Sequence, residues 1–376
     1  VLNSALERVV FKWFIVRKLL FTFKAKVGDN MTYYFKFNSK VAFLDIYRSL
    51  RRGVSVMLLS FSLLPMVAQA DLITDRIFSP TSFWYTPIPS VVPLHPNSAG
   101  FVSDFIRQKN TYYGTVTIND FKYASPVYYV DKSLRKVKVT QWDCQKKGVL
   151  DTSLAEQFAE VPIPSYAKPA DGTDAEMTIY QASTDTLWEF WKARQVNGEW
   201  QACWGGRIQN ASQSDGVFKT YYGTTATSLP FIGGQITAEE LQRGEIKHAI
   251  GIALVDLESS KILSWPAHRS DGSNPYGAPN RIPEGLRFRL DPKVNVDALN
   301  MHPIGKIIAK AAQKYGFVVW DHAGALSLRA QNPYSYTVFS KPNPYDALYA
   351  GSPRYKVLAN FPWDKLQFLP MNYGQP

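Results

Sequence analysis

The chain has 376 residues, of which 45% are hydrophobic, 14% aromatic and only 19% charged. That length and apolar content support a sizeable core and exclude wholesale disorder. The formal charge is +11, but residues 1–70 hold 11 of the 42 Lys and Arg and 3 of the 31 Asp and Glu. The remainder is close to neutral and carries no basic stripe, so nucleic-acid binding is not expected.

The first segment has the composition of an export signal. Arg48, Arg51 and Arg52 precede an apolar run over 54–64, and Ala68-Gln69-Ala70 is a small-x-small cleavage pattern. Residues 1–70 are therefore read as an export signal with a basic extension. Residues 71–376 are read as one β-sandwich domain beginning at Asp71. Membrane contact is expected only during export, and the product is expected to be secreted or periplasmic. The two cysteines, Cys144 and Cys203, both fall after the signal; an even pair in an exported chain predicts one disulfide.

Beyond Asp71, period-two alternation predicts strands over 112–118, 127–130, 136–142, 177–181 and 246–256. Thr237 with Glu240 forms a capping-box pattern that opens a short helix stopped by Gly244. A longer helix is predicted over 297–315, with Ile304, Ile307, Ile308 and Ala311 on one face and Gly316 as its stop. Many strands with a few accessory helices predict a mainly-β fold, a two-sheet antiparallel jelly-roll-like sandwich. The Pro- and aromatic-rich ends, 71–110 and 330–376, are expected to wrap it.

The segment 187–207 is the most informative. Asn197-Gly198 between two aromatic runs is a two-residue hairpin turn. It pairs Val196 with Glu199, and outward from there Trp191 with Trp204, Glu189 with Gly206 and Trp188 with Arg207. Glu189 then stands alone among apolar residues, between indoles suited to stacking on sugar rings. Burial disfavours a carboxylate, so its pKa should rise into the range of a general acid. The structural alternative is a core carboxylate paired with Arg287 or Arg289.

His248 lies on an apolar strand face, either as a satisfied core histidine or as a proton-transfer group. Trp265, His268, Arg269 and Asp271 crowd a Pro/Gly-framed loop of the kind that carries binding residues. Arg287 and Arg289 share one strand face and could hold the carboxylate or sulfate of an anionic sugar. Asp321 ends a strand near Gly324; it and Asp256 are candidates for a second carboxyl. Nucleotide, dinucleotide, zincin and serine-hydrolase motifs are missing, as is any Cys/His cluster, so neither a metal nor a cofactor is expected.

The blocks Leu187-Trp-Glu-Phe-Trp, His248-Ala249, Trp265-Pro-Ala-His-Arg-Ser-Asp-Gly272, Pro283-Glu-Gly-Leu-Arg-Phe-Arg-Leu290 and Lys314-Tyr-Gly-Phe-Val-Val-Trp-Asp321 resemble a broad group of exported bacterial β-sandwich proteins. The resemblance covers about residues 170–330. It implies export and a β-sandwich, and assigns no catalytic role.

The expected function is that of an exported protein acting on polysaccharide as a glycoside hydrolase or polysaccharide lyase. Glu189 and His248 are the catalytic candidates. Trp191, Trp204, Arg269, Asp271, Arg287 and Arg289 are the substrate-contacting candidates, the arginines favouring an acidic glycan. Hydrolysis requires two carboxyls; elimination requires a base and a cation beside a uronate. The alternative is a non-catalytic glycan-binding or structural cell-envelope protein.

Overall fold

The computed structural model describes residues 76–376 and, separately, the backbone of two short strands. Those strands, β1 (Phe21–Lys26) and β2 (Thr32–Phe37), pair antiparallel with Phe21 opposite Phe37. The export-signal run over 51–70 and the expected terminus at Asp71 lie outside the described residues.

Residues 76–376 form three sheets. The largest takes the order β15 (Leu366–Phe368), β12 (Arg287–Leu290), β13 (Phe317–His322), β11 (Ile250–Leu254), β14 (Ser327–Arg329), β3 (Thr117–Asn119). The second runs β10 (Trp204–Gln209), β7 (Thr186–Trp191), β6 (Met177–Gln181), β4 (Val127–Tyr129). The third is β5 (Val139–Gln141), β9 (Glu199–Ala202), β8 (Arg194–Val196). The mainly-β expectation holds. The two-sheet antiparallel jelly roll does not, because each of the three sheets contains a parallel pair: β11 with β13, β4 with β6, and β5 with β9.

Alternation along the strands builds the layers. In β13, Phe317 and Val319 enter one apolar layer, while Val318 and Trp320 enter the next. In β7, Leu187 faces that shared layer, and Trp188 and Phe190 point to a third. The six- and four-stranded sheets therefore share one layer, built on Trp84, Phe218, Phe231 and Trp320. Gly251 is required there: a Cβ would lie 2.2 Å from the Trp320 ring. Beyond the six-stranded sheet, helix α5 (Pro303–Lys314) supplies Ile304, Ile308 and Ala312 to the outer layer. Helix α1 (Ser98–Thr111) adds Phe101 and Phe105 to it.

Several local expectations are met. Helix α4 (Ala238–Arg243) has the full Thr237–Glu240 capping box and ends at Gly244, φ 83°. Segments from both sides of the sheets are tied to them. Ile88 donates its N–H to the Lys314 carbonyl, His95 to that of Phe368, and β15 adds an edge strand.

The hairpin around Asn197-Gly198 has the predicted register throughout, with Val196 opposite Glu199, Trp191 opposite Trp204 and Glu189 opposite Gly206. It is broken by Lys192, at φ 52°, and by Cys203, so that its tip joins the third sheet. Cys203 at that break is bonded to Cys144, with Cα atoms 5.5 Å apart. The bridge closes a loop of 59 residues' separation. In the chain-entropy account, that constraint contributes about 4 kcal/mol. The double variant Cys144→Ser/Cys203→Ser should therefore lose stability of that order in urea unfolding; an unchanged midpoint and slope would contradict it.

Candidate functional site

The face carrying Glu189 is roofed. The chain over 217–232 crosses it, bringing Phe218 and Phe231 onto Leu187 and Ile208. Gly206 opposite Glu189 makes room for this roof, since a Cβ there would lie 2.7 Å from the Phe218 ring. Glu189 is fully buried. Its two oxygens accept the N–H groups of Phe231 (3.0 Å) and Ile232 (3.1 Å), and the hydroxyls of Thr224 (2.7 Å) and Thr178 (3.4 Å). Burial pushes the carboxyl up to about 7, against the pull of those four donors. Its partners are amides and hydroxyls instead of an arginine, and they fix the roof to β7.

His248 lines a narrow cleft with Tyr85, Tyr129 and Glu239. Its Nε2 lies 3.2 Å from a Glu240 carboxylate oxygen, and its Nδ1 lies 2.8 Å from the Ala249 carbonyl. Both ring nitrogens face acceptors, so the ring is satisfied as an imidazolium. Burial works against that charge, but the Glu240 carboxylate outweighs it and raises the pKa.

Arg287 and Arg289 are buried and committed to the chain. Arg287 donates to the Tyr315 carbonyl (2.9 Å) and lies over the rings of Phe83 and Tyr373. Burial without a carboxylate partner brings it down to about 10. Arg289 donates to the carbonyls of Pro89 and Ser90 and to the Gln367 side chain, clamping both ends of the chain. Asp256 is held by Arg107 (2.7 Å) and the Tyr112 hydroxyl (3.0 Å).

Charged groups converge instead at the end of β13. Arg329, buried on β14, donates to Glu176 (3.0 Å) and to Asp321 Oδ2 (2.7 Å). The Ala226 N–H reaches Asp321 Oδ1 (3.2 Å). Arg269 donates to the Gly223 and Thr225 carbonyls (3.0 and 2.6 Å) of the same roof segment. Asp271 donates its backbone N–H to Glu284 Oε2 (3.0 Å).

Burial resists ionisation of the carboxyls here, and they outnumber the guanidinium groups that could offset it. Burial pushes Glu284 up to about 8, with Asp271 and Asp321 adding to the rise. Burial takes Glu176 to about 7 and Asp321 to about 6, each opposed by Arg329. Asp271, which keeps an exposed edge, is also raised by the solvation it loses, against the pull of nearby His322. Four buried polar atoms of this cluster have no hydrogen-bond partner: Glu176 Oε2, Arg269 Nε, Glu284 Oε1 and Arg329 Nε. Buried polar atoms without a partner in the protein are uncommon and call for water or a ligand.

The predicted indoles adjoin this cluster. Trp191 Nε1 donates to Asp174 (3.0 Å), whose charge is felt by both Glu176 and Asp321. Trp204 is half-buried and stacks on Tyr222 at 5.8 Å, with Tyr221 at 5.9 Å. Tyr222 and Ala226 are four residues apart, so the platform lies within about 14 Å of chain from the residue that binds Asp321.

Of the expected site residues, Arg269 and Asp271 join this cluster, Trp191 is linked to it through Asp174 and Trp204 through the segment 222–226, and Glu189, His248, Arg287 and Arg289 are enclosed elsewhere. Glu284 and Asp321 stood in the sequence motifs, whereas Glu176 and Arg329 gave no signal in sequence. Among the described residues, no group of three or more His, Cys, Asp or Glu is arranged to hold a metal ion. Comparison with protein-family models, curated proteins and solved structures found no match.

Two of the buried glutamates, Glu284 and Glu189, should respond unequally to amidation. Glu284 has its folded-state pKa raised from 4.5 to about 8. Its contribution to stability is fully present below the unfolded value and is lost as pH climbs towards the folded one. Glu284→Gln should therefore stabilise the protein by roughly 3 kcal/mol at pH 7, and by little at acidic pH. Glu189→Gln sheds a burial penalty of the same kind, but it sets an NH2 group against a backbone N–H at a cost of about 1–3 kcal/mol, so its gain at pH 7 should be clearly smaller than that of Glu284→Gln. Thermal melts across pH decide both; destabilisation by Glu284→Gln at pH 7 would contradict the crowding of charge.

Proposed function

We propose that the protein is an exported glycoside hydrolase acting on an uncharged polysaccharide. The reading is carried by one juxtaposition: partly exposed carboxyls in a cluster with orphaned buried polar atoms, beside the Trp204–Tyr222 platform. Aromatic faces bind the apolar faces of sugar rings, and two carboxyls with separated proton affinities are what glycosidic hydrolysis requires.

Asp321, whose carboxyl is raised by burial to about 6 against the pull of Arg329, gives a proton to the glycosidic oxygen. Asp271, the more exposed of the two, serves as the base that takes a proton from water. The water oxygen joins the sugar carbon as the leaving oxygen departs protonated. Glu284 beneath Asp271 keeps a proton within the cluster near neutral pH. Elimination is the weaker reading because His248 has no free nitrogen to act as base. An acidic glycan is also disfavoured, since Arg287 and Arg289 are occupied and the site itself is rich in carboxyls.

Export accords with the signal-like segment, the resemblance to exported proteins and the Cys144–Cys203 bridge, which belongs to an oxidising compartment. Among the described residues, no helix is long and apolar enough to cross a membrane.

Release of reducing ends should be measured on β-glucan, xylan, chitin, pectin and alginate. Turnover is expected on a neutral member of the panel. Asp321→Asn and Asp271→Asn should each lower it by about 10²–10⁴-fold while binding persists. Binding without turnover would make the protein a glycan-binding module; no binding at all would favour a structural envelope role.

A further inference from the structure

A second cleft opens on the other side of Trp204. A cavity of about 280 Å³ lies against Cys203 of the Cys144–Cys203 bridge, lined by Trp142 and Trp204, with Val149 and Leu150 also in its wall. That size suits a sugar-binding subsite. Val149 and Leu150 are 75% and 53% exposed, an apolar edge that no other element covers among the described residues.

Its walls are held in advance of any ligand. Trp142 donates its indole N–H to the Lys192 carbonyl (3.2 Å), and the Arg194 guanidinium lies 3.6 Å from its ring. The disulfide ties the loop after Trp142 to the residue preceding Trp204. The Asp143 carboxylate is occupied by the N–H groups of Lys147 and Gly148. Asp151 accepts the Tyr221 and Tyr222 hydroxyls (both 3.2 Å) and caps helix α2 (Thr152–Gln157). The cleft is thus joined to the tyrosine platform through Asp151 and through Trp204, which borders both.

We infer that this cleft is a distal subsite for the same uncharged glycan chain, so that one chain lies along a track from Trp142, past Trp204 and Tyr222, to Asp321. The inference rests on the polysaccharide reading above and extends it to a chain of several sugars bound away from its ends. Two indoles with an apolar rim fit the flat faces of pyranose rings. The adjoining carboxylates of Asp143 and Asp151 disfavour an anionic chain.

The test uses the full protein with cello-, xylo- and N-acetylchito-oligosaccharides from disaccharide to octasaccharide, titrated by calorimetry. Wild-type affinity for at least one series should rise with chain length. Trp142→Ala should weaken the longest oligomers by about tenfold or more and leave the shortest unaffected. Trp142→Phe, which keeps a stacking face, should recover most of the loss and controls for misfolding. A Trp142→Ala variant that binds every length as the wild type does overturns the subsite. Failure of every oligomer to bind the wild-type protein overturns both the subsite and the polysaccharide reading. Length-dependent binding without hydrolysis sustains the subsite and removes only the catalytic assignment.

Discussion

The buried guanidinium of Arg329 is the interaction on which the rest of the arrangement depends. It belongs to the six-stranded sheet, yet one of its bonds goes to Glu176, which immediately precedes β6 of the four-stranded sheet, and the other to Asp321. Its plane lies 4.7 Å from the Phe231 ring in the layer between the sheets. Breaking a buried pair of this kind strands a charge and typically costs about 3–5 kcal/mol. The same cation is shared by two carboxylates, with Glu284 and Asp271 nearby. One positive charge therefore joins the sheets and leaves the end of β13 short of cations.

That shortage links fold to chemistry. A carboxyl that is little buried and has an arginine of its own is held low, as Asp256 is, where Arg107 and Tyr112 outweigh the lost solvation. The carboxyls around Asp321 instead keep their protons towards neutral pH. The roof over 217–232 then relates the cluster to the aromatic platform. Glu189 pins it through Thr224 and helix α3 (Phe231–Gly234). The next turns of the same segment give their carbonyls to Arg269 and an amide to Asp321. Glu189 thus acts on the site by positioning a loop, although its sequence context had marked it as a proton donor.

What was legible in sequence was local. The Asn197-Gly198 turn sets the register out to Trp188, because side-chain period and turn length leave no freedom. The Thr237–Glu240 box, the stop at Gly316 and the disulfide were equally readable. Parallel pairing was not, since a strand buried on both faces carries no mark of its partner's direction. Helix α1 was hidden in a segment rich in loop-forming residues, although Phe101 and Phe105 already showed helical spacing. Alternation correctly placed Glu189 on an apolar face, but whether such a face is open or roofed depends on residues some thirty positions downstream. Arg287 and Arg289 likewise read as surface cations until the two ends of the chain were seen to close over them.

The central claim is that the carboxyls at the end of β13, buried and outnumbering their cations, keep their protons towards neutral pH. Side-chain carboxyl carbon resonances followed by NMR from pH 4 to pH 9, each assigned by single amide substitution, measure this directly. The account predicts Glu284 titrating near 8 and Asp321 near 6, with both moving when a bound oligosaccharide excludes water from the cluster. Ordinary titration of Glu284, Glu176 and Asp321 near 4.5 or below would contradict it.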